Sequence, residues 1–156
     1  MSVEPQVIGL HVAKATRLPM RSVADVEVET GRGIVGDRYH GTRHRHVTVQ
    51  SAEGLAAAAE AFGRVIPAEL TRRNVTVSGG DVSRQPGTRL RVGGVLLEVV
   101  RVAAPCRLLD DTIGRGAQEV LRRRAGSVCR VIEGGTIAVG DTWEHLLDQD
   151  VIPGLE

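Results

Sequence analysis

The chain has 156 residues, a length that suits one domain built around a single core. Hydrophobic residues make up 42% and charged residues 25%, as in ordinary soluble globular proteins. The formal net charge of +1 gives no reason to expect a nucleic acid or a membrane surface as a partner. We therefore predict one domain over residues 1–156, with a core over about residues 5–147 and a tail over about residues 148–156.

No targeting or anchoring segment is recognised in the sequence. No apolar run reaches the roughly 20 residues that a membrane-spanning helix needs. The first residues, MSVEPQVIGLHVAK, lack the basic and long apolar regions of a signal peptide. The two cysteines, Cys106 and Cys129, form neither a CxxC pair nor a disulfide framework. These features favour a cytoplasmic protein with reduced thiols.

The first half of the chain predicts strands followed by one helix. Apolar residues recur along residues 6–13, and valines alternate with acidic residues along residues 23–28, so both segments are predicted strands. After the turn-rich link GRGIVGD, the alternation of HVTVQ, residues 46–50, predicts another strand. Ser51 is a good N-cap for a helix over AEGLAAAAEAFG, which ends near Gly63.

The second half predicts a hairpin and further short strands. RNVTVSGGD is strand-like, and residues 88–102 predict a hairpin that turns at Gly93-Gly94. GRGAQEVLRRRAG predicts a helix, and residues 127–146 contain strands around glycine turns. About eight short strands with two or three short helices indicate a mostly β, β-rich α+β fold, namely a small, predominantly antiparallel β-barrel.

The stretch GDRYHGTRHRH, residues 36–46, contains three histidines and three arginines. A zinc site needs three or four ligands, but three guanidinium charges would oppose a divalent cation. An anion-binding loop is therefore favoured over a plain polar turn, and a metal site is the least favoured of the three. Strand alternation puts Arg45 on the same side as the apolar Val47, and His44 and His46 on the other side. An Arg45–Asp37 ion pair is the structural alternative.

Two further clusters carry candidate chemistry. In TRRNVTVSG, Arg73 begins a strand on the same face as its valines, whereas Asn74 either binds a ligand or caps a turn, and Arg72 is predicted to be a solvated charge. In VRVAAPCRLLDD, Cys106 stands at a loop or helix start beside Arg107, a position that favours a thiolate. Inert packing is the equally weighted alternative for this cysteine.

The last strand segment, SVCRVI, holds the second cysteine. Cys129 is flanked by apolar residues and is predicted to pack in the core. Its neighbour Arg130 faces the opposite side and is a candidate for a further cation at the rim of the barrel.

Five segments, in this order, resemble the MOSC domain, which is named for the C-terminal domain of molybdenum cofactor sulfurases. They are GIVGDRYHG, HVTVQSAE, TRRNVTVSGGD, LRVGGVLLEV with the cysteine that follows it, and RVIEGGTIAVGDTW. They span nearly the whole chain, so it resembles a free-standing, single-domain member. The resemblance implies a β-rich barrel and a role in molybdenum-cofactor sulfuration or in binding that cofactor.

The resemblance also implies roles for particular residues. Cys106 matches the family's characteristic cysteine, which is proposed to carry sulfane sulfur as a persulfide and which ligates molybdenum in related cofactor-bound enzymes. The anionic ligand would then be molybdopterin, with its phosphate and pterin. The candidate cofactor-binding residues are Arg38, His40, Arg45, Arg73, Asn74 and Arg130.

Partners follow from the same resemblance. No pyridoxal-phosphate desulfurase segment is recognised, so we expect a separate sulfur donor such as a cysteine desulfurase, and a molybdoenzyme or other cofactor acceptor. A sulfurtransferase or sulfur carrier is the favoured function. Two alternatives stay open: a cofactor-binding module or reductase with Cys106 as the metal ligand, and a non-catalytic β-barrel that binds an anion.

Overall fold

The structure, a computed structural model, describes residues 4–122 and 124–146. The strands are β1 (Gln6–Val12), β2 (Arg21–Ser22), β3 (Asp25–Glu29), β4 (Gly33–Ile34), β5 (Val47–Ser51), β6 (Val75–Ser78), β7 (Arg89–Val92), β8 (Val95–Val102), β9 (Ser127–Glu133), β10 (Gly135–Ala138) and β11 (Trp143–His145). The helices are α1 (Ala52–Phe62), α2 (Leu108–Thr112) and α3 (Ala117–Leu121), with a 3-10 turn at Ala68–Leu70. The predicted tail over about residues 148–156 lies outside the described residues.

The strands form two sheets. The larger has eight strands in the order β11-β7-β8-β9-β5-β6-β1-β2, and the smaller has the order β10-β3-β4. Strands β5 and β6 pair in parallel, because α1 carries the chain back across the sheet between them, and the other pairs are antiparallel.

The mostly β fold with three short helices is as predicted, but the β-barrel is not confirmed. The larger sheet is mixed, and within the described residues it does not close. Strand β1 meets the segment before β11 through an isolated bridge, Gln6 to Thr142, and not through a continuous ladder. Further along the chain, at residues 11 and 12, β1 pairs with the two-residue strand β2, which is the last strand of the sheet.

The core is aliphatic, as the low aromatic content requires. Strand β3 alternates as predicted, with Val26 and Val28 buried and its acidic residues exposed. Both faces of β5 and β6 are buried. The helices contribute a second apolar cluster, in which Leu55 of α1 packs with Leu109 of α2 and Leu121 of α3. The layer of helices over the sheet explains why polar residues on β5 and β6 are buried.

The cap predicted for α1 is confirmed. The side chain of Ser51 accepts a hydrogen bond of 2.9 Å from the N–H of Gly54, and the helix ends at Gly63, which has a left-handed φ of 88°. Within the described residues, no helix is both long enough and apolar enough to cross a membrane.

Candidate functional site

A cavity of about 520 Å³ brings Cys106 together with six arginines. Arg45 precedes β5 and Arg73 precedes β6, and because these two strands run in parallel their starts lie at the same edge of the sheet. The arginines that line the cavity are Arg17, Arg38, Arg45, Arg72, Arg73 and Arg107. Four of the candidates from the sequence, Cys106, Arg38, Arg45 and Arg73, therefore share one cavity.

Arg73 connects the start of β6 to the loop that carries Cys106. Its side chain is buried, and it donates from Nε to the carbonyl of Ala125 and from NH2 to the carbonyl of Ala104, both at 2.9 Å. Burial, with repulsion from Arg45 as the next cause, lowers the pKa of Arg73 to about 10. The guanidinium thus keeps its charge at neutral pH, while its hydrogen bonds go to neutral carbonyls.

Arg38 is held by the loop from which it projects. Its NH1 lies 3.3 Å from Oδ1 of Asp37, a fully buried carboxylate that also accepts from the backbone N–H groups of Ala13 and Tyr39. The NH2 of Arg38 donates to the carbonyl of Arg72 at 3.2 Å. Asp37 therefore pairs with Arg38 and stabilises the turn, and the Asp37 partner considered for Arg45 is not observed.

Tyr39 is a member of the site that the sequence analysis missed. The guanidinium carbon of Arg38 lies 4.4 Å, and that of Arg45 4.2 Å, from the centre of the Tyr39 ring. Such contacts attract a cation to the face of an aromatic ring and orient it. Tyr39 is the one tyrosine in a chain that is 2% aromatic, and this rarity was the signal available in the sequence.

Arg72 and Arg17 also line the cavity, although neither was a candidate. Arg72 was predicted to be solvated, but it is half-buried, and burial followed by repulsion from Arg38 lowers its pKa. Two cavity guanidinium atoms, Nε of Arg45 and NH2 of Arg72, are buried without a hydrogen-bond partner among the described residues. Unsatisfied buried donors indicate a missing acceptor.

The charge of the cavity is positive. Among the residues that the structure describes, no carboxylate lies within 4.0 Å of a guanidinium nitrogen of Arg45, Arg72 or Arg73. Asp111 is the acidic residue in the lining. Guanidinium groups present planar forks that match carboxylate and phosphate oxygens. The arrangement is therefore suited to an anionic ligand of small-molecule size.

Three of the predicted cofactor-binding residues lie outside the cavity lining. Asn74 is a buried structural residue: its Oδ1 accepts from the backbone N–H of Thr48 at 3.0 Å, and its Nδ2 donates to the carbonyl of His11 at 3.1 Å. It thereby connects β5, β6 and β1. The ring of His40 bonds to the carboxylate of Glu29, the last residue of β3.

The prediction of Arg130 as a rim cation is corrected by the strand register. Glu98 on β8 stands opposite Arg130 on β9, and its Oε1 accepts from Nε at 2.9 Å and from NH2 at 2.6 Å. Cross-strand partners of opposite charge pair in this way on a sheet face. Arg130 is therefore an exposed, paired side chain away from the cavity.

His46 was predicted to point away from the core face of its strand, but its side chain is buried. Its Nε2 donates to the carbonyl of Thr42 at 2.7 Å, and its Nδ1 accepts from the backbone N–H of Val131 at 3.0 Å. Burial lowers the pKa of His46. Because both faces of β5 are covered, this neutral ring connects two distant segments and does not line the cavity.

The two cysteines have opposite surroundings. Cys106 is exposed in the cavity, two residues before the short helix α2, whereas Cys129 is completely buried in the main apolar cluster. Burial raises the pKa of the Cys129 thiol to about 12. The packing role predicted for Cys129 is confirmed, and Cys106 is the thiol that solutes can reach.

Similar solved structures define the class of fold. YuaD from Bacillus subtilis is 22% identical, with a TM-score of 0.82, and the match covers 95% of this chain and 99% of that chain. YiiM from Geobacillus stearothermophilus is 18% identical, with a TM-score of 0.73 and coverage of 92% and 75%. YiiM from Escherichia coli is 20% identical, with a TM-score of 0.64 and coverage of 94% and 70%.

The family follows from the sequence of the cavity-forming region. The model of the MOSC domain matches residues 36–144, which is well over half of the chain and includes the loop with Arg38 and Arg45 as well as Cys106. The protein belongs to the MOSC domain family. No curated protein sequence gives a significant match.

Proposed function

We propose that this MOSC protein binds the molybdenum cofactor in the cavity of Cys106 and carries sulfane sulfur on that cysteine for sulfuration of the cofactor. The observation that carries the proposal is an exposed thiol in a cavity lined by six arginines. The thiol supplies a nucleophile, and the guanidinium groups supply charge for an anionic ligand.

The residues of the cavity fit molybdopterin as a substrate or ligand. The unpartnered donors on Arg45 and Arg72 call for anionic oxygens, which a phosphate has. Arg38, Arg45 and Arg73 would hold the anionic groups of the cofactor, with Tyr39 fixing the guanidinium planes of Arg38 and Arg45. When bound, the cofactor would supply a molybdenum centre that accepts sulfur.

The loading step needs no added oxidant. The Cys106 thiolate attacks the outer sulfur of a persulfide on the donor protein, a new S–S bond forms at Cys106, and the S–S bond of the donor breaks. The donor cysteine leaves as a thiolate and takes up a proton, so the sulfane sulfur is transferred at constant oxidation state. The arginines that line the cavity would hold the anionic persulfide that results.

The partners of this reaction follow from its chemistry. A cysteine desulfurase is the class of donor that forms a protein persulfide from free cysteine, and a molybdoenzyme is the class of acceptor for the sulfurated cofactor. The reaction would take place in the cytoplasm, where thiols are kept reduced. Nucleic acid and membrane have no part in it.

Cyanolysis tests the loading step. Purified protein is incubated with a persulfide donor, desalted and treated with cyanide, and released thiocyanate is measured. We expect about one thiocyanate per chain from the wild type and from Cys129→Ala, and background release from Cys106→Ser. Equal release from the wild type and Cys106→Ser would overturn the sulfur-carrier proposal.

Metal and pterin analysis distinguishes the sulfur-carrier proposal from the alternative in which Cys106 ligates molybdenum. The wild type and Cys106→Ser are prepared from a molybdate-replete host and measured for molybdenum and pterin. Under the sulfur-carrier proposal, both variants keep the same cofactor content because the arginines hold the ligand. Loss of molybdenum with retained pterin in Cys106→Ser would instead favour the thiolate-ligand function.

A further inference from the structure

A second cavity, of about 280 Å³, lies beside β1 and is separate from the cavity of Cys106. Residues of β1, of β6, of the 3-10 turn and of the segment after β10 line it, and they include Ile8, Gly9, His11, Glu69, Thr76 and Val139. None of these six residues lines the cavity of Cys106. A ligand of the second cavity would therefore be independent of the proposed function.

His11 contributes a hydrogen-bonding atom that the protein itself does not pair. The residue is 6% exposed, and its Nδ1 is buried without a hydrogen-bond partner among the described residues. A Cβ on Gly9 would lie 3.2 Å from Cε1 and 3.9 Å from Nδ1 of the ring, so this edge of the imidazole faces the space above Gly9. By contrast, Oγ1 of Thr76 accepts from Nε2 of Gln50 at 2.9 Å. Because an unpaired buried atom is costly, Nδ1 of His11 indicates a missing hydrogen-bond partner.

The second cavity differs from the cavity of Cys106 in its charge. Glu69 is exposed, and among the described residues no Lys, Arg or His nitrogen lies within 4.0 Å of its carboxylate. In the described part of the chain, the lining contains no lysine or arginine. Burial is the largest cause that lowers the pKa of His11, and the charge of Glu69 acts in the opposite direction. The neutral imidazole can accept a hydrogen bond at Nδ1.

Apolar side chains form much of the remaining wall. Ile8 and Val139 are each 47% exposed, so a ligand in the second cavity would remove apolar surface from water. A metal ion does not fit, because the described residues contain no group of three or more His, Cys, Asp or Glu side chains that could hold one. One carboxylate, one imidazole and an apolar wall are instead suited to an organic cation.

We propose that the second cavity binds a small organic amine. The ammonium group lies between His11 and Glu69, and the apolar body of the amine contacts Ile8. An ammonium group has three hydrogen-bond donors and no acceptor, which complements a carboxylate and a neutral imidazole nitrogen. Glu69 would repel an anion. The second cavity and the cavity of Cys106 therefore select ligands of opposite charge.

Three probes of similar shape and different charge test the proposal. Benzylamine is a cation at neutral pH, benzyl alcohol is neutral and benzoate is an anion. Each is titrated into isotope-labelled protein at constant ionic strength, and the dissociation constant is measured by NMR from the backbone amide shifts of Ile8 and Thr76. We expect benzylamine to bind at least about fivefold more tightly than benzyl alcohol, and benzoate to leave these amides unshifted. Equal affinities for the three probes, or benzylamine shifts confined to the cavity of Cys106, would overturn the proposal.

Glu69→Gln keeps the shape of the side chain and removes its charge. We expect this variant to bind benzylamine about fivefold more weakly, with an affinity for benzyl alcohol within about twofold of the wild type. The matched control is Glu119→Gln, which changes an exposed glutamate of α3 outside the cavity and should alter neither affinity. Wild-type affinity for benzylamine in Glu69→Gln would contradict an ammonium site at this carboxylate.

Two further variants test where the ligand lies. Gly9 does not have a left-handed φ, so alanine suits the backbone of Gly9→Ala while its methyl group enters the space beside the His11 ring. We expect Gly9→Ala to weaken benzylamine and benzyl alcohol to a similar degree, by about fivefold. His11→Leu removes Nδ1 and should weaken benzylamine more than benzyl alcohol. Unchanged affinities in both folded variants would show that these probes bind elsewhere, and the proposal would fall.

Discussion

The arginines of the cavity and those on the outer face of β7, β8 and β9 differ in their partners. On the outer face, Glu98 lies between Arg89 and Arg130 and bonds to both, at 3.2 Å and 2.6 Å. In the cavity, Arg73 donates to backbone carbonyls, and Arg45 keeps a buried nitrogen without a partner among the described residues. The outer-face arginines share a carboxylate partner, while the cavity arginines Arg45 and Arg73 have none in the described part of the chain and keep their charge available for a ligand.

The difference shows how one residue type serves two purposes in the same fold. Strand register puts Glu98 opposite both Arg89 and Arg130, so these two arginines gain a hydrogen-bond acceptor that also carries a negative charge. Carbonyl oxygens satisfy the donors of Arg73 without cancelling its charge. A stable protein thus retains a positively charged cavity, and the anion binding that we propose depends on this charge.

Removal of Arg73 should have the largest effect on stability. Arg73→Ala removes the hydrogen-bond donor of two carbonyls and leaves a buried void in place of the side chain. We therefore expect the free energy of unfolding to fall by about 3 kcal/mol. Urea denaturation measures this change. A loss below about 1 kcal/mol would mean that the carbonyl contacts do not hold the loop of Cys106.

The two cysteines give the next largest contrast. Cys129→Ser puts a hydroxyl into the apolar cluster, and we expect a loss of about 2 kcal/mol in the free energy of unfolding. The same substitution at the exposed Cys106 should change stability by less than about 0.5 kcal/mol. Equal losses in urea denaturation would show that Cys106 is also a packing residue.

Acid should lower the free energy of unfolding, while the arginines of the cavity stay charged. Burial is the largest cause that lowers the pKa of His11, His46 and His145. As the pH falls, these histidines therefore take up protons in the unfolded chain before they do so in the folded protein. Their contribution to the free energy of unfolding is fully present above about pH 6.5 and is lost as the pH drops below that value.

The expected slope is at most about 1.4 kcal/mol per pH unit for each histidine that stays neutral in the folded state. Urea denaturation at several values between pH 5 and 8 measures this slope, and His46→Gln should reduce it. A free energy of unfolding that stays constant, or rises, as the pH falls through this range would contradict a structural role for the neutral His46 ring.

The outer-face ion pair should have the smallest effect. Arg130→Ala removes an exposed salt bridge, so we expect a loss of about 0.5 kcal/mol that shrinks further in high salt. Measurements of urea denaturation at low and high ionic strength test this. A loss as large as that for Arg73→Ala would remove the distinction between the two sets of arginines.

Local signals in the sequence predicted much of the fold. The N-cap at Ser51, the alternation of β3 and the turn at Gly93-Gly94 all depend on residues close together in the chain, and all are observed. The parallel pairing of β5 with β6 was not predicted, because it depends on a crossover by α1 and leaves no local pattern.

The candidate site was predictable to a similar degree. Strand alternation pointed to Arg45 and Arg73, which do line the cavity. Arg130 and His46 were misplaced because their partners, Glu98 and Val131, are 32 and 85 residues away in the sequence. Arg17 gave no signal at all, since its position in the cavity depends on a loop conformation that no sequence pattern indicates.

The contacts of β1 have a consequence for the order in which the protein folds. The backbone N–H of Val7 donates to the carbonyl of Asp141 at 2.7 Å, and the same strand pairs with β6. A ribosome therefore releases β1 long before the segment that completes its edge has been made. During synthesis one edge of β1 therefore stays unpaired until that segment emerges. Because pairing between distant segments slows folding, the amides of β1 should gain protection from hydrogen exchange late in refolding.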